Sequence, residues 1–160
     1  MYLWKVDSLV NDFRENNVSQ KEEFKYMLVL TILMIIATDP ILYIDITHNT
    51  YDVLMSFLIL GISIIGLYYS YKINSSGDNK NFIVRVMCLG LPILIRTITI
   101  FIPIFIIGII VEEMFIVTPI ELEKETVETT LLHVVLNSLF IVTYYWYLYK
   151  KVQTVSKLDT

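Results

Sequence analysis

The chain has 160 residues, 56% of them hydrophobic and 18% charged, with a mean hydropathy of +0.64 and a formal net charge of -4. Soluble domains run at about 45–50% apolar and about 25% charged residues, and here the apolar excess falls in blocks, the pattern of a small polytopic membrane protein. The length allows at most one domain. The acidic balance argues against a nucleic-acid partner, and the single cysteine, Cys88, excludes an internal disulfide.

The first element is short. Tyr2, Leu3, Val6, Leu9, Val10 and Phe13 recur at helical spacing, with Lys5, Asp7, Asn11, Asp12 and Glu15 opposite them. This predicts an amphipathic N-terminal helix within residues 1–18. Without a basic surplus it suits packing on the protein's own bundle better than lying on lipid. Asn16-Asn17 breaks the pattern. Ser19-Gln20-Lys21-Glu22 then has the form of a capping box and marks the start of the first long helix.

Four transmembrane helices are expected within a domain spanning residues 19–151, with spans at about 26–44, 52–72, 86–111 and 129–149. Each is long enough to cross a hydrocarbon core of about 30 Å. Residues 152–160 read as a polar tail. The first span is interrupted by Asp39-Pro40, and proline removes a helix hydrogen bond and kinks the chain. In the second, Gly61, Gly66 and Ser70 are small residues that let another backbone approach closely. Helix packing within the chain or self-association would each use them. Asn74 to Asn79 is a loop of turn formers.

The third apolar segment, from about Phe82 to Val111, is too long for a straight span, so tilt or kinks at Pro92 and Pro103 are expected. Arg85 near its start would snorkel to the headgroups. An acidic stretch from Glu112 to Glu128 leads to the fourth span.

Of the 12 Lys and Arg residues, all but Lys124 and Arg96 fall on one side of such a topology. The positive-inside rule makes that side cytoplasmic, with both termini there, and an inner (plasma) membrane location fits. Tyr68, Tyr69, Tyr71, Tyr144, Tyr145, Trp146, Tyr147 and Tyr149 fall at one level and form an aromatic belt.

One polar cluster stands out. Arg96 falls near the middle of its span, where a charge costs from about 2.5 to more than 10 kcal/mol unless it finds acceptors. Asp39 is the carboxylate deep enough to pair with it, and His133 and Asn137 can support the pair. Such a cluster is either a polar site on a permeation or proton path or interhelical glue. No nucleophile, P-loop, zinc or dinucleotide motif is present, and His48, His133 and Cys88 lack ligand spacing. The expectation is therefore no catalysis, no cofactor and no metal. The expected partners are the lipid bilayer and either another membrane protein, as for an immunity or assembly partner, or further copies of the chain in an oligomeric channel or transporter.

Overall fold

A computed structural model describes residues 2–37, 49–115 and 129–157, and every element among them is a helix. In chain order these are α1 (Val6–Arg14), α2 (Gln20–Ala37), α3 (Thr50–Ser75), α4 (Phe82–Phe115) and α5 (Leu131–Ser156). Three of them, α3, α4 and α5, are long and apolar enough to cross a membrane. The span expected at 26–44 begins in α2 and continues into residues outside the description, as do Asp39, Pro40, His48 and the acidic residues from Glu121 to Glu128.

Helix α5 is the hub. It runs parallel to α3: Asn49 beside α3 meets Thr129 at one end, Gly66 faces Tyr145, and Gly77 just beyond α3 meets Ser156 at the other. It runs antiparallel to α4, as the pairs Glu112–His133, Phe101–Phe140 and Arg96–Tyr147 show in sequence. Helix α2 packs on α4, and α1 lies across α4 and α5.

Helix α1 buries Val6, Leu9, Val10 and Phe13 against this bundle. Each such side chain contributes about 1.5–3 kcal/mol on burial. The N-terminal helix therefore packs on its own protein. It stops where Asn16 takes φ 54°, a left-handed conformation that asparagine tolerates. The amide of Asn17 then donates to the Asp12 carbonyl at 2.8 Å and that of Asn16 to Phe13 at 3.3 Å, which satisfies two end carbonyls in a Schellman closure. At the start of α2, Ser19 Oγ accepts from the Glu22 amide at 3.4 Å.

Helix α4 is unbroken from Phe82 to Phe115, with Pro92 and Pro103 inside it. The small residues of α3 differ in use. A Cβ on Gly66 would fall within the Tyr145 ring, so glycine is what lets α3 and α5 close together there, whereas Gly61 faces open space. Ser70, one turn past Gly66, is fully buried.

Burial is uneven along the bundle. At the end holding α1, a core forms from Val6, Leu9, Tyr26, Leu89, Leu148 and Val152 together with their neighbours. This end is called the head. Beyond it, α3, α4 and α5 are sheathed in exposed apolar side chains such as Phe57, Ile64, Ile100, Ile107, Leu139 and Val142. Helix α5 continues past Tyr149, where the sequence suggested the span would end, to Ser156, and Val152, Val155 and Ser156 are buried in the head.

Candidate functional site

The polar side chains gather into three groups, two in or beside the head and one at the far end. Within the head, Arg85 is buried at 3% exposure instead of reaching outward. Its guanidinium meets both carboxylate oxygens of Asp78, one arm at 2.6 Å, and the same Nη1 donates to Asn74 Oδ1 at 2.7 Å. Asn74 in turn donates to the Lys80 carbonyl at 3.4 Å, and the Asp78 amide donates to the Ser156 carbonyl at 3.0 Å. The α3–α4 turn is thereby tied to the end of α5. Arginine suits this site because its planar fork matches a carboxylate with two parallel bonds. That hydrogen-bonded guanidinium holds the Asp78 carboxyl below its usual range, against a smaller opposing effect of burial.

The second group surrounds Arg96, where the head gives way to the apolar sheath. Arg96 Nη1 donates to the Tyr147 hydroxyl at 2.6 Å, and the guanidinium carbon lies 5.7 Å from the centre of the Trp4 ring. Beside it, Lys151 pairs with Asp7 of α1 and sits 5.3 Å from the Tyr147 ring centre. The hydrogen bond from Lys151 lowers the Asp7 pKa. The tyrosine hydroxyl of Tyr26 joins in, accepting from the Tyr2 amide at 2.6 Å. These contacts fasten α1 and the residues before it across α2, α4 and α5.

The third group is at the opposite end. His133 Nε2 stands 3.3 Å from Glu112 Oε2, and its Nδ1 accepts from the Thr130 amide at 3.3 Å. Asn49 caps α3, accepting from the amides of Tyr51 at 2.9 Å and Asp52 at 3.2 Å. Asp52 returns a carboxylate to the Asn49 amide at 2.7 Å and also receives the Thr129 hydroxyl. Asn49 Nδ2 donates to the Thr129 carbonyl at 2.7 Å, joining the starts of α3 and α5.

The residues singled out around Arg96 are thus separated. His133 lies about 21 Å along α5 from Tyr147, the partner of Arg96, at 1.5 Å per residue. Asn137 turns its side chain back to the His133 carbonyl at 2.9 Å. Asp39 lies outside the described residues. Between the Arg96 and His133 levels, Phe101, Phe105 and Phe140 pack ring against ring, Phe101 and Phe140 at 5.4 Å between centres. The reason is register: antiparallel packing pairs Arg96 with Tyr147, which leaves Asn137 about three turns and His133 about four turns away along α5.

Sequence reasoning missed the Asn49–Asp52 capping box, whose N-x-x-D form was legible. It also missed the Arg85–Asp78–Asn74 knot, whose only sequence signal was an asparagine and an aspartate within one turn sequence just before a basic residue. Among the described residues no three His, Cys, Asp or Glu side chains converge as metal ligands would. A search of protein-family models, of curated proteins and of solved structures finds no match to this chain.

Proposed function

We propose that this is a small multi-pass inner-membrane protein that works by binding another protein in or at the bilayer, in the manner of an immunity or assembly partner, without catalysis. The observation that carries this reading is the aromatic packing of Phe101, Phe105 and Phe140 between the Arg96 group and the His133–Glu112 group. Among the described residues apolar rings fill that level, which argues against a path for ions or protons through one chain. The head and the helix surfaces are then what remains to act.

Distances along the helices support this placement. About 30 Å of helix separates Asp52 from Lys72 on α3, and about 26 Å separates His133 from Lys150 on α5, at 1.5 Å per residue. A hydrocarbon core of about 30 Å fits between these two tiers. Arg96 then lies at one edge of the core, in the aromatic belt with Tyr147 and Trp4. There a basic side chain reaches the interface at modest cost. The head projects into the cytoplasm, both termini lie on that side, and the continuation of α2 supplies a fourth span.

The alternative is an oligomeric channel or transporter. One observation favours it: Glu112 Oε1 and Ser138 Oγ are buried without a hydrogen-bond partner, and a second copy or water would satisfy them. Mass measurement in detergent followed by ion flux in liposomes separates the two readings. A monomer that passes no ions is expected. A symmetric oligomer whose flux falls when Arg96→Gln is introduced would replace the interaction reading with the channel.

A further inference from the structure

The parallel helices α3 and α5 leave a groove of about 360 Å³ on their shared outer face, lined by Ile62, Ile65, Tyr69, Val142, Trp146 and Tyr149. Its floor is the contact of Gly66 with Tyr145. That volume is within the range of ligand clefts, about 300–1,000 Å³. The lining changes along its length, from aliphatic at Ile62 and Val142 to aromatic at Tyr69, Trp146 and Tyr149. Beyond the aromatic rim, helical spacing places two cations on the same faces. Lys72 stands one turn past Tyr69, and Lys150 one turn past Trp146.

Both lysines are exposed, and neither makes an ion pair with a described residue. Helix α3 carries no Asp or Glu after Asp52, and α5 carries none at all. The groove therefore opens onto an uncompensated positive edge.

We propose that this groove holds one acyl chain of an anionic phospholipid, with its phosphate on Lys72 and Lys150. The sequence of surfaces matches that molecule in order: aliphatic wall for the chain, tyrosine and tryptophan at the glycerol level, and ammonium groups at the headgroup. A zwitterionic lipid would fill the same wall but gain less at the lysines. The proposal rests on the membrane reading above.

The test is native mass spectrometry of the full chain, reconstituted with equal amounts of phosphatidylglycerol and phosphatidylcholine of the same acyl chains. The wild type should keep phosphatidylglycerol over phosphatidylcholine, by about fivefold for each lysine engaged. Lys72→Gln with Lys150→Gln should abolish the preference, and both sites are exposed and outside the head core. Val142→Trp, or Ile65→Trp if the first elutes as aggregate, should lower retention of both lipids. Equal retention by the wild type would overturn the proposal. So would a preference that survives both lysine changes, retention unchanged by a filled groove, or a lipid-free two-chain species. An alkaline wash of the same vesicles tests the membrane reading separately: protein that stays with the vesicles but shows no lipid preference sinks the groove alone.

Discussion

The head and the apolar sheath of the same three helices differ in how they bury apolar side chains. In the head, Leu148 and Val152 of α5 are fully buried among side chains from α1, α2 and α4. On the opposite face of the same helix, nine residues away, Leu139 is 52% exposed, and Val142 is 48% exposed. A helix surface that faces lipid can leave such side chains bare, because lipid tails are as apolar as leucine. Polar groups divide on the same line. Among the described residues, the charged groups knot together in the head, around Arg96, or at the far end with Glu112, His133 and Asp52, and phenylalanine rings lie between.

The largest way to break this contrast is a pair of identical truncations on one helix. Leu148→Ala should cost about 3–4 kcal/mol, the transfer term plus a cavity. Leu139→Ala, read by the same thermal unfolding in lipid nanodiscs, should change stability by less than about 0.5 kcal/mol. Equal losses would mean that the sheath is packed against something as firmly as the head.

Next is the knot. Asp78→Ala leaves Arg85 buried without its carboxylate and should destabilise by about 3 kcal/mol. Arg85→Met combined with Asp78→Leu should recover most of that loss, since an apolar pair leaves no charge behind. A double variant as weak as Asp78→Ala alone would show that the knot does more than satisfy itself.

A smaller effect is expected at the edge of the sheath. Arg96→Gln removes the bond to Tyr147 and the cation over Trp4, together about 1–2 kcal/mol. Trp4 should become accessible to an aqueous quencher as the N-terminal segment loosens. Unchanged quenching would separate Arg96 from the seating of α1.

The smallest concerns acid. Asp78 has its pKa lowered in the folded protein by the hydrogen bond from Arg85. A carboxylate with a depressed folded pKa binds more protons when unfolded, so its contribution is fully present above the unfolded value of about 3.9 and disappears as pH falls through the folded value. Unfolding temperature should therefore drop below about pH 4 in the wild type, and less so in the Arg85→Met, Asp78→Leu variant. A parallel drop in both would assign the acid sensitivity to other carboxylates.

Much of the helical plan was legible because its signals are local. The α1 face, the break at Asn16, the Ser19 cap and the apolar runs all lie within a few residues of what they determine. The uses of Arg85 and Arg96 were not, because each depends on register between distant segments. Arg85 looked like a snorkelling cation until the α3–α4 turn brought Asp78 and Asn74 around it. Arg96 is central in the apolar run from Phe82 to Val111, but the first turns of α4 belong to the head. Composition cannot say where a long apolar helix leaves protein and enters lipid, since leucine suits both.

The seat of α1 has a consequence for the order of events during synthesis. Asp7 and Lys151 are separated by 144 positions in sequence. At about 5–20 residues per second, α1 waits roughly 7–30 seconds for α5 to be made. Throughout that interval Val6, Leu9, Val10 and Phe13 have no finished surface to cover, so α1 needs a chaperone or a membrane surface to rest on until α5 is made.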